Sequence, residues 1–595
     1  MPPFTNSELP IITISQVDPE LESLPETYSL GDLLRDYQVE GEDGTFWTDK
    51  LLRHILTRER IKAELQRPVQ AFNDIQIEAY IDRILALGND SSHLTFLKIF
   101  ALLALIDHPG DIGNFIEEGL GDQLLPIGIR KKQVYLLSDP SRKLKCFDKW
   151  SGFAKDHFET CQWRVDTPYF DSPKGQASEP IHLHPSTRKP LRRSANGTSE
   201  TPILPDNAGA YGVVIRVDIH PTSHSFEQLL TGINLDCTKF AIKTLHATNT
   251  EQLFQKEWEM LKRFSGLAHP HLVTVLGAFK HKEKYSFIFP NAEHDLSHHL
   301  ETREPQKNQS RATWLSDQLS GLIGALDTIH DPKHLNRGAD KGYGRHGDIK
   351  CDNILCFKSS GIEKETVLVI SDFGLSALNS DRSRSNIPNR KVPPVPGYRP
   401  PECDISGGTI SRAFDIWTLG CLFLELITWF LGGPRDIKQF DDERTTMFIS
   451  GSNNNIFFSF KRKPNQGAYV VEWIFKLHQH PNCSDFLHDA LDIIEQEMLV
   501  VLAEGRTRSP SGKLRKSFER LAKRCASEQS YIRGNPWTHS RVETARALRR
   551  ENNIAVEAIP NDNAQKLMDT VQIALEVHQG PTRRSLRPKE LSNLD

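Results

Sequence analysis

His346-Gly347-Asp348-Ile349-Lys350-Cys351-Asp352-Asn353-Ile354-Leu355 sets an aspartate, a lysine and an asparagine at short fixed spacing ahead of an apolar pair. An aspartate in a chance loop has no need of an asparagine five residues later. Outward toward the C-terminus, the β-branched run Val367 to Ile370 reads as a strand, and Ser371-Asp372-Phe373-Gly374 follows it. Outward toward the N-terminus, Phe240-Ala241-Ile242-Lys243 reads as a strand ending in a lysine. A lysine ending a buried strand has to be satisfied, and phosphate oxygens can do that. Ahead of it stands Asn207-Ala208-Gly209-Ala210-Tyr211-Gly212-Val213-Val214. Two glycines let a strand-turn-strand fold closely over a phosphate, because no Cβ blocks the approach. Taken alone, an ordinary glycine-bearing hairpin explains this stretch equally well. Phe254 to Leu261 has the period of an amphipathic helix.

Taken in order, these stretches resemble the motifs of the eukaryotic protein kinase family. The glycine loop matches G-x-G-x-x-G-x-V with Asn207 in the first position, the lysine strand matches V-A-I-K, and the opening stretch matches H-R-D-L-x-x-x-N with Gly347 replacing arginine. Asp372-Phe373-Gly374 matches D-F-G, and Pro400-Pro401-Glu402 matches A-P-E. Asp415-Ile416-Trp417-Thr418-Leu419-Gly420 then opens a long apolar helix, which in kinases is buried and supports the catalytic loop. The resemblance covers residues 203–526 and implies an α+β, two-lobed protein kinase fold with a β-rich N-lobe and a helical C-lobe. It implies ATP and Mg²⁺ as cofactors, with ATP in the cleft between lobes. By the resemblance Asp348 accepts the proton of a substrate hydroxyl, Lys350 touches the γ-phosphate, and Lys243 holds the α- and β-phosphates. Glu257 pairs with Lys243, with Glu259 as the rival, and Asn353 and Asp372 ligate Mg²⁺. Gly209 and Gly212 cover the phosphates. Val214 and Ala241 cover the adenine, Leu355 lies beneath it, Ile288 is the gatekeeper, Phe289 to Asn291 form the hinge, and Asp295 contacts the ribose. Arg508 pairs with Glu402, with Arg506 as the alternative.

A closer resemblance extends over residues 30–530. Val217-Asp218-Ile219-His220-Pro221 with His224 and Phe226, Phe287-Ile288-Phe289-Pro290, and Tyr343-Gly344-Arg345-His346 look like kinase-domain proteins of filamentous fungi, which have a helical N-terminal region closed by a Gln-Trp pair, here Gln162-Trp163. The departures concern regulation and loops. In kinases the arginine replaced by Gly347 pairs with a phosphorylated activation loop, so that ordering device is missing. Ser380, Ser383 and Ser385 lie in the corresponding basic segment, and insertions are expected at 218–238, 331–345 and 434–485.

The rest of the chain sets the frame. It has 595 residues, 38% apolar and 25% charged, with a net charge of −4, so no global field points to nucleic acid or to an anionic membrane. Nine cysteines without paired spacing point to reduced thiols and an intracellular home, cytoplasmic or nuclear. Residues 1–30 read as a loose Pro-rich tail, 31–170 as a small all-α domain with Asp74 as an N-cap and a site for a protein partner, and 171–202 as a linker. The kinase-like domain is 203–526, and 527–595 is a partly disordered extension. The apolar run Ile416 to Gly433 is long enough to span a membrane but carries Glu425, so a buried helix is expected there and no membrane span. Three functions compete. An active Ser/Thr kinase on an unknown protein substrate is favoured by Lys350. A pseudokinase scaffold rests on Asn207 and Gly347. A kinase acting on a small molecule is opposed by the segment running to Glu402, which shapes a peptide-binding surface.

Overall fold

The computed structural model describes residues 29–556 except 68–71, 87–93, 172–178, 195–206, 210–211, 247–249, 265–267, 306–309, 335–342, 361–364, 374–376, 380–386, 389–396, 405–407, 448–452, 456, 458, 461–468 and 549–554. The chain divides into two compact units, one of residues 1–255 with 275–291 and one of 256–274 with 292–595.

The first unit opens with seven helices: α1 (Leu30–Asp36), α2 (Asp49–Ile55), α3 (Arg58–Leu65), α4 (Asp74–Leu85), α5 (Leu97–Leu105), α6 (Ile112–Glu118) and α7 (Gly152–Gln162). Two antiparallel hairpins accompany them, β1 (Val39–Gly41) with β2 (Gly44–Phe46) and β3 (Ile127–Arg130) with β4 (Gln133–Leu136). The helical region is therefore not purely α. Every residue of α5 except Lys98 is buried, as its unbroken apolar run requires of a helix with no solvent face. Phe115, Phe147, Trp150 and Phe158 close the core edge to face, with Phe115 and Phe147 centroids 5.0 Å apart. Gln162 is fully buried because its amide does the work of a neighbouring strand. Its Oε1 accepts from the Ile127 N–H at 2.7 Å and its Nε2 donates to the Ile127 carbonyl at 2.8 Å. Asp74 does not cap α4. Asn73 does, because only from that position does Gln76 fall at the third helical residue and return the bond in a capping box.

A sheet completes the first unit, with strand order β5 (Ile181–His182), β10 (Gly277–His281), β11 (Lys284–Pro290), β9 (Phe240–Leu245), β8 (Gly212–Ile219), β6 (Leu191–Arg193), and with β7 (Asn207–Gly209) paired to β8. The stretch read as a linker thus supplies both outer strands. Ile181 runs parallel to Phe279, and Leu191 pairs antiparallel with Ile219. The strands are held from the helical side as well. The Arg188 guanidinium donates to the Thr45 carbonyl, the Glu42 N–H donates to the Leu191 carbonyl at 2.8 Å, and Phe170 is buried beside Phe279. Short α8 (Glu227–Gly232) fills the expected insertion, with Phe226 buried between His224 and Phe240. Helix α9 (Thr250–Arg263) runs from this unit into the next.

The second unit is mainly helical: α10 (Leu296–Thr302), α11 (Ser310–His330), α12 (Ala413–Arg444), α13 (Tyr469–His478), α14 (Asp485–Ile493), α15 (Ser511–Ser527) and α16 (His539–Leu548). Helix α11 packs along α15, and Asp327 of α11 ties them by accepting from Ser511 Oγ and Arg515 Nε, each at 2.9 Å. A small sheet orders β12 (His294–Asp295), β14 (Ile354–Lys358) and β15 (Thr366–Ile370), and β13 (Tyr343–Arg345) pairs with β16 (Ala377–Asn379). Helix α12 is the one described helix long and apolar enough to cross a membrane, and 89% of its most apolar window is buried inside the protein. It breaks at Gly433, where φ is +71°, followed by Pro434, so the expected insertion begins as a second helical arm.

Candidate active site

The opening stretch lies in the second unit, between β13 and β14, with its backbone fixed from below. Asp415, the first acidic residue of α12, is fully buried and collects three donors. Its Oδ2 accepts from the His346 N–H at 2.9 Å and from His330 Nε2 at 2.9 Å, and its Oδ1 accepts from the Gly347 N–H at 2.8 Å. Burial alone pushes this carboxyl up, but the hydrogen bond and charge of His330 with the backbone donors hold it below its ordinary value. Gly347 has φ +85°, a conformation that glycine adopts without a steric penalty. His346 locks the other side. Its Nε2 donates to the Ser371 carbonyl at 3.0 Å, so its Nδ1 is left to accept from the Asp348 N–H at 3.3 Å.

The side chains that carry chemistry gather on this frame. Asn353 Nδ2 donates to the Asp348 carboxylate Oδ2 and to the Asp348 carbonyl, both at 2.8 Å. Because the amide nitrogen is engaged there, the atom that Asn353 presents to a cation is its Oδ1. Lys350 Nζ stands 3.6 Å from the same Asp348 Oδ2. Asp348 is largely buried, and that burial raises its carboxyl above the usual aspartate value against the opposing pull of Lys350 and Asn353. Asp372 follows β15 at φ +61°, a left-handed conformation that aspartate tolerates better than most residues. The Ser371 N–H donates to the Asn353 carbonyl at 2.9 Å, which ties the Asp372 turn to the loop carrying Asn353. Asn353 and Asp372 supply amide and carboxylate oxygens, a donor set that suits a hard divalent cation such as Mg²⁺. Gly374 lies outside the described residues.

The remaining expected residues fall as follows. In the first unit Lys243 is half-buried on β9, opposite Val214 of β8 and Phe287 of β11. Gly212 leaves no room for a side chain, since a Cβ there meets the Thr244 carbonyl oxygen at 2.5 Å. Gly209 is its hairpin partner. Ala241 pairs with Phe289 and Ile242 with Ile288; Ile288 is fully buried, Phe289 and Asn291 are half-buried, and Val214 is 36% exposed. On α9 Glu257 is buried and Glu259 exposed, so Glu257 is the glutamate turned into the protein. In the second unit Leu355 pairs with Asp295, whose carboxylate caps α10 by accepting from the His298 N–H at 2.8 Å. A ribose contact has to share it with that cap. Arg508 is the partner of Glu402. The pair is buried and bidentate, at 2.6 and 2.8 Å.

A buried network went unread in the sequence. Tyr398 Oη donates to Glu425 Oε2, stands 3.2 Å from Cys351 Sγ, and Arg444 Nη2 donates to Glu425 Oε1 at 2.9 Å. It joins the loop after Asp348 to the segment ending at Glu402 and to the far arm of α12. Burial raises the Glu425 carboxyl despite Arg444, and raises Tyr398 and Cys351 well above their ordinary values, so these two enter the network as a phenol and a thiol that donate to Glu425.

Residues 226–497 match the family model described as the protein kinase domain. This chain carries a protein kinase domain. Among curated relatives, CTD kinase subunit alpha of Saccharomyces cerevisiae is 31% identical over 189 residues, 31% of this chain and 31% of that protein. Cyclin-dependent kinase-like 4 of Homo sapiens is 30% identical over 190 residues, 31% of this chain and 42% of its own length. Cyclin-dependent kinase 2 of Caenorhabditis elegans is 27% identical over 291 residues, 48% of this chain and 70% of its own. The chain therefore spans less than half the length of the first curated relatives it matches.

Proposed function

We propose that this chain is a protein serine/threonine kinase that transfers the γ-phosphate of ATP to a protein hydroxyl. The observation that carries the reading is the cluster in the second unit, where Asn353 Nδ2 holds the Asp348 carboxylate at 2.8 Å and Lys350 stands 3.6 Å from it. Asp348 orients the incoming hydroxyl and takes its proton, and its raised carboxyl is the better matched to that task. Lys350 offsets charge on the transferred group and directs the choice toward serine or threonine. Lys243 does the same for the α- and β-phosphates. Mg²⁺ on Asn353 and Asp372 would supply neutralisation of phosphate charge. The Tyr398 network shapes the floor on which a peptide substrate lies.

Radiolabelled ATP with the purified full chain and generic basic protein substrates tests the proposal. Turnover of about 1–100 s⁻¹ on a good substrate is the family's range. Lys243→Met and Asp372→Asn should each abolish transfer in protein that still folds. Retention of more than about a tenth of the rate, a barrier change of only ~1.4 kcal/mol, defeats the assignment. The scaffold reading keeps Asn207 and Gly347 as its support and expects no transfer from the unaltered chain. An intracellular location is consistent with nine free thiols, eight of them buried. Closeness to the fungal group rests on the sequence stretches that carry that resemblance, Gln162-Trp163 and His224 with Phe226 among them.

A further inference from the structure

Three potential metal ligands meet far from the Asp348 loop in sequence. His478 ends α13, Cys483 lies in the turn that follows, and His488 sits on the first turn of α14 behind its Ser484 cap. All three are buried, and one nitrogen or sulfur from each lies within 4.8 Å of the others. The two Nδ1 atoms are 2.7 Å apart, and Cys483 Sγ is 3.5 Å from His488 Nδ1. The other face of His488 fixes its tautomer. Its Nε2 lies 2.8 Å from the Asn535 carbonyl, which can only accept, so Nε2 carries the proton and Nδ1 presents a lone pair to His478 and Cys483. His478 Nε2 faces Asp492 Oδ1 at 3.7 Å, the side that a metal-bound imidazole turns to a carboxylate. A plain N–H···N bond between the rings instead puts the His478 proton on Nδ1, and sets its Nε2 lone pair against the Asp492 carboxylate.

We propose that His478, Cys483 and His488 bind one Zn²⁺, and that the ion fastens the end of α13 to the start of α14, the corner on which the C-terminal segment rests. Two imidazoles and a thiolate are borderline-soft donors that suit zinc and reject Mg²⁺ or Ca²⁺. At Zn–N distances of about 2.0–2.1 Å a tetrahedral shell sets two nitrogens about 3.3 Å apart, so the ring pair opens by only about 0.6 Å. On binding, the Cys483 S–H gives its proton to solvent and both imidazoles bind through neutral lone pairs, with no change of oxidation state. Three protein donors leave one tetrahedral position to water. The second shell is the C-terminal segment itself. The Trp537 ring stacks on His478 at 3.8 Å and 6°, its backbone N–H donates to the His478 carbonyl at 2.9 Å, and the Asn535 backbone N–H donates to the Cys483 carbonyl at 2.7 Å.

The test uses the full chain purified without chelator. Plasma mass spectrometry should find about one zinc per chain, as a three-ligand site demands. Stripping the metal should lower the melting temperature by about 5 °C, and zinc should restore it while releasing about one proton per ion. Cys483→Ser and His488→Gln should each lose the zinc and the thermal response. If those variants fail to fold, the titration of stripped wild-type protein decides alone. Wild-type protein that holds no zinc and gains no stability from it overturns the proposal. So does zinc retained in both variants, which would place it elsewhere, for instance on the trio His294, His299 and Cys356.

Discussion

Replacing Asp415 by asparagine removes the charge beneath the catalytic loop with almost no change of shape. The carboxylate accepts from Gly347 through one oxygen and from His346 and His330 through the other, at 2.8, 2.9 and 2.9 Å. An amide has one oxygen, so in its better orientation it keeps His346 and His330 and turns an N–H₂ toward the Gly347 N–H. A buried N–H without an acceptor costs about 1–3 kcal/mol, and the two surviving bonds lose their ionic character, so the sum is about 2–4 kcal/mol. At about 2–4 °C per kcal/mol, Asp415→Asn should melt about 4–16 °C below wild type. Activity should fall further than stability explains, because the displaced N–H belongs to the residue before Asp348. The pH dependence follows from the depressed carboxyl. A folded-state value below the unfolded one contributes stability that is complete above the unfolded value, near ~3.9, and is lost as pH falls through the folded one. The gap between variant and wild type should hold from neutral pH downward and close only below about pH 4. Differential scanning fluorimetry across pH, with phosphotransfer assayed at a temperature where both proteins are folded, reads both effects. A variant melting within about 1 °C of wild type with unchanged turnover refutes the idea that this carboxylate sets the loop.

Three other outcomes are expected. Arg508→Met strands the buried Glu402 carboxylate and should cost about 3–5 kcal/mol, while Arg508→Met with Glu402→Met should be milder than the single change; equal melting temperatures in the two would show that the pair is not the source of the loss. Removing residues 1–202 strips β5 and β6 and uncovers Phe279 and Ile219, so the remaining chain should be aggregation-prone; a soluble fragment with an unshifted melting temperature would falsify that dependence. Protein co-expressed with a phosphatase, its 375–397 segment shown unmodified by mass spectrometry, should phosphorylate substrate as fast as a Ser380/Ser383/Ser385→Ala triple variant; silence until one serine is modified reverses the expectation.

Legibility in the sequence followed how tightly chemistry fixes residue type. Asp348, Asn353, Asp372 and Lys243 stand out as candidates because phosphate and cation chemistry allows few substitutes at those spacings. The Glu402 partner could be narrowed to two arginines, and burial of a bidentate pair selects Arg508. Local signals that differ by one residue were harder. Asn73 and Asp74 are both good caps, and only the return bond from Gln76 separates them. Strands β5 and β6 had no readable signal, because two or three residues are too short to show alternation and their partners lie 98 and 28 residues away, from Ile181 to Phe279 and from Leu191 to Ile219. The Cys351, Tyr398, Glu425 and Arg444 network is likewise assembled from three separate stretches, the last two residues coming from the two arms of α12, and none of these stretches shows a need for the others.

Gly347 shows how a departure from a family pattern changes meaning once the backbone is known. In sequence it is a lost cation. In the structure it is also a residue at φ +85°, where a side chain costs an L-residue about 1–2 kcal/mol. The position is held there by its N–H to Asp415 and by the His346 bonds on either side, and none of these passes through a side chain at 347. An arginine at this point pays the backbone strain in return for a grip on a phosphate. Glycine relieves the strain and gives up the grip. The Asp348 carboxylate takes its bond from Asn353, not from residue 347. The catalytic loop is thus assembled by bonds internal to the second unit, which is the physical ground for expecting transfer without a phosphorylated segment.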